Sequence, residues 1–170
     1  APILQEKKRD VQVVLASELT PDRLKSSDII YVGLLSGMGS LRDPVFAQSR
    51  FTFGETYDQI IDRKTNSMYT SEAFLAAPSD TMYRDYGFFS TFKGPAGNRI
   101  TILSGSRDTA VMGVAEKLTH AKSLAELQKK LSAANDFEAL FEVKGQKHIN
   151  LETRVLASCA TSCARSGSVW

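Results

Sequence analysis

The chain has 170 residues, of which 42% are apolar, 9% aromatic and 24% charged. That apolar fraction excludes a disordered chain, and the lack of any apolar run near about 18 residues excludes a membrane-spanning helix, so we expect no membrane partner. The 21 basic and 19 acidic side chains leave a net charge of +2, which gives no reason to expect a nucleic-acid groove.

The length suits a single domain with two short flanking segments. The chain starts without methionine, and a run of mixed charge follows. We expect residues 1–10 to be a linker from an upstream region, residues 11–157 to be one α/β domain, and residues 158–170 to be a C-terminal tail.

The tail contains Cys159 and Cys163, whose spacing puts both thiols on one side of a helical turn. Only His120 and His148 could add nitrogen ligands, and their spacing matches no metal site. We therefore expect two free thiols and no metal, with a disulfide between the two cysteines as the alternative.

The first third of the chain has a strand–helix–strand pattern. Val11–Leu15 is a β-branched run that predicts a buried strand. Thr20 and Pro21 form a good start for a short helix, and residues 29–32 predict a second buried strand. Together these elements predict a βαβ unit, whose two strands run parallel.

The middle of the chain predicts a glycine-rich loop at residues 33–41, a helix over about 41–48, and several short strands. The strands are expected at 51–53, 57–61 and 67–70, with a hairpin tip at 63–66. A short helix over 71–77 ends at Pro78. Glycine, proline and asparagine at 93–98 then predict a hairpin between strands 86–92 and 99–103.

The last third predicts three helices and one strand. Apolar spacing predicts a helix over about 109–121, and a capping box at Ser123–Glu126 opens the next one. Residues 137–143 alternate as a half-exposed strand does, and residues 150–160 suggest a final helix.

These elements predict an α/β fold, a three-layer Rossmann-like sandwich with a mixed, mostly parallel sheet that includes a β-hairpin. The core strands are 11–15, 29–32 and 100–103, with helices on both faces. The alternation of aromatic residues within strands indicates core positions rather than a stacking platform for single-stranded nucleic acid. These residues are Phe51, Phe53, Phe88, Phe89, Phe92, Phe137 and Phe141.

Two loops carry the candidate site, because each follows a strand and precedes a helix. In open α/β sheets ligands bind at that edge, where backbone N–H groups and helix starts attract anions. The candidate ligand-binding residues are Gly33, Ser36, Gly37, Gly39, Ser40, Ser104, Gly105, Ser106, Arg107, Asp108 and Thr109. The alternative is that the glycines only permit chain reversal and Arg107 pairs with Asp108 or another carboxylate.

No catalytic residue and no cofactor are expected. The serine at position 36 is out of register for a nucleophile elbow, and the loop is not a phosphate-binding P-loop. The alternative function is an enzyme acting on a nucleotide or phosphorylated metabolite at the same edge, with Asp43, Asp108 and His120 as candidate acids or bases.

Five short motifs add a family resemblance over about residues 11–155. They are Asp28-Ile-Ile-Tyr-Val-Gly-Leu-Leu-Ser-Gly-Met-Gly, Ser49-Arg-Phe-Thr-Phe-Gly, Tyr83-Arg-Asp-Tyr-Gly, Gly94-Pro-Ala-Gly-Asn-Arg and Ser104-Gly-Ser-Arg-Asp-Thr. With them the chain resembles the C-terminal α/β effector domain of bacterial winged-helix transcriptional regulators.

The resemblance implies a Rossmann-like sensory or effector domain without an assigned catalytic residue. From the two loops we expect this domain to bind a small polar or anionic ligand, or a protein partner, and we expect it to act in the cytoplasm. DNA would be bound only through an upstream domain outside this chain. Ligand contacts at the two loops would shift the population of helix arrangements and change an interdomain or homodimer contact.

Overall fold

The computed structural model describes residues 10–47, 49–73, 80–130 and 136–161, which form a mixed α/β fold. The strands are β1 Ile29–Leu34, β2 Phe51–Phe53, β3 Gln59–Asp62, β4 Ser67–Thr70, β5 Tyr83–Lys93, β6 Arg99–Gly105, β7 Phe137–Gln146 and β8 Ile149–Ala160. The α-helices are α1 Pro21–Ser26, α2 Arg42–Phe46, α3 Asp108–Thr119 and α4 Ala121–Lys130. Short 3-10 turns cover Ala16–Glu18, Leu35–Gly37 and Gly39–Leu41. Within these ranges no helix has both the length and the apolar character needed to cross a membrane.

The main sheet has five strands in the order β1-β6-β5-β7-β8, and a small sheet has the order β2-β3-β4. In the main sheet only β1 and β6 run parallel, and the other described pairs are antiparallel. The expectation of a mostly parallel sheet is therefore not met. Short connections join β5 to β6 and β7 to β8, and a chain that reverses within a few residues can form only antiparallel pairs.

The small sheet and α2 cover one face of the main sheet through aromatic contacts. The ring of Phe88 on β5 lies 5.2 Å from that of Phe46 and 6.0 Å from that of Phe51. Tyr69 and Tyr86 meet at 5.5 Å between ring centres. Phe51 and Phe88, which the alternation of aromatic residues predicts to be core residues, both belong to the larger core cluster.

Helices α3 and α4 cover the opposite face, over a second apolar cluster. Val114 on α3 is fully buried there against the sheet. A methyl group at Gly87 on β5 would lie 2.2 Å from Val114 Cγ2, well inside normal contact distance. Glycine at position 87 therefore permits α3 to approach the sheet this closely.

The predicted strand at residues 11–15 is wrong, and so is the βαβ unit built on it. These residues are irregular, with Val13 86% and Leu15 68% exposed. β-branched residues form a strand only where a partner strand receives them, and β1 pairs with β6 instead. Thr20 does cap α1, because its Oγ1 accepts a hydrogen bond from the Arg23 amide at 3.3 Å.

The C-terminal predictions need three corrections. Residues 150–160 form β8 rather than a helix, because the chain reverses at Lys147 and His148, both with positive φ, and pairs with β7. Helix α4 starts at Ala121, so Ser123 lies inside its first turn and opens no capping box. β7 is buried from residue 137 to 143 rather than half-exposed, because it lies between β5 and β8.

The remaining predictions fare better. The predicted loop, α2, the three short strands, the hairpin and α3 all occur within a few residues of their expected bounds. The predicted helix over 71–77 falls largely on residues 74–79, which lie outside the described ranges, as do residues 1–9 and 162–170. Residues 158–160 form the end of β8.

Candidate functional site

The two predicted loops meet at one end of the main sheet, which we call the strand-end surface (residues 33–40 and 104–109). β1 and β6 run parallel, with Gly33 paired to Ser104. The Ser104 hydroxyl donates a 2.8 Å hydrogen bond to the carbonyl oxygen of Gly33. This bond ties the two loops together where they leave the sheet.

Of the eleven predicted residues, five are exposed, four are buried, and Gly33 and Arg107 are half-buried. The exposed ones are Ser36, Gly37, Gly39, Ser40 and Asp108, whereas Ser104, Gly105, Ser106 and Thr109 are buried. Gly33 and Gly37 leave room for the Tyr31 hydroxyl, which donates a 2.6 Å hydrogen bond to the Leu34 carbonyl. Gly39 has a φ of +54°, which favours glycine.

Arg107 forms a side-on ion pair with Asp58, a residue in the turn before β3. Its Nε donates to one carboxylate oxygen of Asp58 at 2.7 Å, and its Nη2 donates to the other at 2.6 Å. The hydrogen bonds from this pairing raise the pKa of Arg107. The pair joins the small sheet to the strand-end surface, while 40% of the Arg107 side chain stays exposed.

The N-terminal end of α3 is capped by a buried carboxylate from the neighbouring strand. Asp85 on β5 accepts hydrogen bonds from the Ala110 amide at 2.8 Å and the Ser71 hydroxyl at 2.8 Å. It also accepts one from the Tyr86 amide at 3.0 Å. Asp85 is fully buried, and this burial raises its pKa. The protein therefore places one of its own carboxyl groups at this helix start.

Two buried hydroxyls at the strand-end surface differ in their hydrogen bonding. The Thr109 hydroxyl hydrogen-bonds to the Tyr83 hydroxyl at 2.8 Å, which fixes the first turn of α3. Ser106 is only 4% exposed, and in the part of the chain that the structure describes its hydroxyl has no hydrogen-bond partner. A buried hydroxyl without a partner costs free energy, so Ser106 is a candidate for a ligand contact.

Of the three candidate acids and bases, His120 lies far from the strand-end surface. Asp108 lies at the strand-end surface, but Asp43 is on α2, with 84% of its side chain exposed, beside Arg42. His120 caps the far end of α3, and a helix of twelve residues is about 18 Å long. A cleft of about 180 Å³ near His120 is lined by Lys117, Glu152 and others, and contains none of the predicted loop residues.

A buried polar cluster around Glu138 was not predicted. The fully buried Glu138 carboxylate accepts hydrogen bonds from the Ser49 hydroxyl at 2.6 Å and the Arg50 amide at 2.7 Å. The Arg50 side chain in turn pairs with buried Asp62. No spacing in the sequence brings these residues together, since Ser49 and Glu138 are 89 positions apart.

Cys159 completes the Glu138 cluster as a free thiol. Its sulfur lies 3.4 Å from Glu138 Oε1, and burial together with this carboxylate raises the pKa of Cys159 to about 11. Cys163 lies outside the described residues, so the expected pair of free thiols is seen only at Cys159.

Within the described ranges, no group of three or more His, Cys, Asp or Glu side chains is arranged to hold a metal ion. Comparison of the chain with protein-family models, curated proteins and solved structures finds no match.

Proposed function

We propose that this chain is a non-catalytic sensory domain in which a small anionic ligand binds the strand-end surface and replaces Asp58 as the partner of Arg107. The observation that carries the proposal is the Arg107–Asp58 pair. The Arg107 side chain pairs with the Asp58 carboxylate, is 40% exposed, and belongs to the loop that the hydrogen bond between Ser104 and Gly33 ties to the other loop. A planar guanidinium is well suited to exchange one carboxylate for another or for a phosphate.

The same exchange supplies a mechanism for signalling. Asp58 belongs to the segment that carries the small sheet, and Arg107 lies immediately before α3. A ligand that takes Arg107 from Asp58 releases one of the contacts between the small sheet and the strand-end surface. The domain then has two states, one with the Arg107–Asp58 pair formed and one with it released. The equilibrium between these states shifts by the difference in their affinities for the ligand.

The wider setting of the proposal is an effector domain of a bacterial transcriptional regulator. It is supported by the resemblance of the five motifs and by the nearly balanced charge of the chain, which puts DNA binding elsewhere in such a protein. A regulator of this kind acts in the cytoplasm, so the proposal includes that location.

The test is a thermal-shift screen with inorganic phosphate and with panels of phosphorylated and carboxylated metabolites. We expect a compound that raises the melting temperature of the wild type and does not raise that of Arg107→Gln. Arg84→Gln is the matched control, because Arg84 also donates through Nε and Nη2, here to one carboxylate oxygen of Glu72, but lies outside the strand-end surface. A stabilising compound that acts equally on Arg107→Gln, or a screen without any such compound, overturns the proposal.

Asp58→Asn gives a sharper test of the exchange. If the ligand must displace Asp58, removing that carboxylate removes a competitor, so the ligand should bind more tightly. A partly exposed ion pair contributes up to about 1 kcal/mol, which corresponds to an increase in affinity of about threefold to fivefold. Weaker binding to Asp58→Asn, measured by calorimetry, would show that Asp58 helps to hold the ligand and would contradict the exchange.

A further inference from the structure

Strand β1 forms one edge of the main sheet. It pairs with β6, and no other strand in the described part of the chain pairs with it. Natural edge strands are usually protected by lysine, proline or a bulge, because unpaired backbone groups attract another strand. β1 has none of these, and the sequence carries no charged residue from position 29 to position 41.

This edge also exposes apolar side chains. Ile30 is 57% exposed and Val32 is 60% exposed, although both are in a strand. Both side chains are on the face that α3 and α4 cover farther along the sheet, since Val32 pairs with Leu103. On the other face, Ile29 and Tyr31 pack against the larger core cluster.

The opposite edge of the sheet differs in charge. β8 also exposes apolar residues, Ile149 at 61% and Leu151 at 54%, but it carries Glu152 and Arg154 among them. A strand added to β8 must accommodate both charges. β1 itself carries no charged side chain, so a partner strand that suits it is itself uncharged and apolar.

We infer that β1 pairs antiparallel with β1 of a second copy of this chain, which joins the two five-stranded sheets. The sequence of β1 meets this requirement itself, and a two-fold axis at Tyr31 sets Ile30 of one copy beside Val32 of the other. The exposed apolar side chains of both copies then cover one another on one face, and no like charges meet. This pairing stands whether or not the strand-end surface binds a ligand.

Analytical ultracentrifugation over a series of protein concentrations tests the pairing. We expect the wild type to form dimers, and Val32→Lys to weaken the dimer at least about tenfold, because each copy then brings a lysine to the contact. Leu151→Lys is the matched control: a residue of similar exposure on the other edge of the same sheet, whose substitution should leave the dimer intact. A wild type that stays monomeric at all concentrations, or a Val32→Lys chain that dimerises as well as the wild type, overturns the inference.

Hydrogen exchange on the unsubstituted chain gives a second measurement. Amides of β1 should exchange more slowly as the protein concentration rises, whereas those of β8 should not change. Slowing confined to β8, or no change at either edge, contradicts the pairing. Since Val32 is largely exposed, circular dichroism should show that Val32→Lys remains folded. If this variant unfolds, hydrogen exchange on the unsubstituted chain alone tests the pairing of β1.

Discussion

Replacing Gly87 with alanine is expected to destabilise the chain, because Gly87 lies directly beneath α3. The added methyl carbon would lie 2.2 Å from Val114 Cγ2, 3.2 Å from the Ala110 carbonyl oxygen and 3.4 Å from the Ser104 carbonyl oxygen. Carbon atoms in contact are normally about 3.5–4.0 Å apart. The helix must move or Val114 must adopt another rotamer, and overpacking of this kind costs about 1–3 kcal/mol.

An opposing effect is smaller. Alanine restricts the unfolded chain more than glycine does, which stabilises the folded state by about 0.4–1 kcal/mol where the backbone tolerates it. We therefore expect a net loss in the free energy of unfolding. In a domain of this size each kcal/mol lowers the melting temperature by about 2–4 °C.

A double-mutant cycle with Val114→Ala isolates the contact. Val114 is fully buried, and removing its two methyl groups costs about 2 kcal/mol from lost burial and the cavity left behind. In the double variant the new methyl group at position 87 occupies part of that cavity. The double variant should therefore lose much less free energy of unfolding than the sum of the losses in the two single variants. Urea unfolding followed by circular dichroism measures all four chains. Losses that add within about 0.5 kcal/mol would refute the close contact between α3 and β5.

Three further predictions concern buried polar groups. Ser49→Ala should lower the free energy of unfolding by about 1–3 kcal/mol in urea titrations, because the Glu138 carboxylate and the Phe51 amide both lose a hydrogen-bond partner. Ser40 is exposed, so the control Ser40→Ala should change the free energy of unfolding little. Burial raises the folded-state pKa of Asp85, so the native chain keeps this proton to higher pH than the unfolded chain. The contribution of Asp85 to the free energy of unfolding therefore falls as pH rises from 3.8, its ordinary value, through the raised value. The stability of Asp85→Asn relative to the wild type should therefore increase with pH in that window, and a difference that stays constant or decreases would contradict the raised pKa. In a Cys163→Ser chain, Cys159 should react slowly with a maleimide. The reaction rate should rise about tenfold per pH unit toward the pKa of Cys159, which is about 11. Fast reaction at neutral pH would contradict this prediction, because it would show an accessible thiolate.

Local turn and cap chemistry made part of the fold predictable. Thr20 before Pro21 marks the start of α1, and the glycine-rich turn between β5 and β6 marks their hairpin, because these residues act within a few positions of themselves. The loops at residues 33–40 and 104–109 were also expected at one sheet edge, and the parallel pairing of β1 with β6 brings them together.

Long-range pairing was the part that local patterns could not decide. The run Val11–Leu15 has strand-like residues but no partner, whereas Ile149, Leu151 and Val155 alternate and do find one in β7. The alternation was the available signal for β8. At the candidate site, Asp58 reaches Arg107 from the turn before β3 and Asp85 reaches α3 from β5, and no spacing in the sequence indicates such partners.

The order of strands in the main sheet also bears on how the chain folds. The pairs β5–β6 and β7–β8 close over short turns, whereas the hydrogen bond between Ser104 and Gly33 spans 71 residues. Closing a longer loop costs more entropy, so contacts between distant segments form late. We expect β1 to join a sheet whose other strands are already paired, which leaves β6 as a temporary edge. We therefore expect the loop after β1, and with it one half of the strand-end surface, to be assembled late in folding.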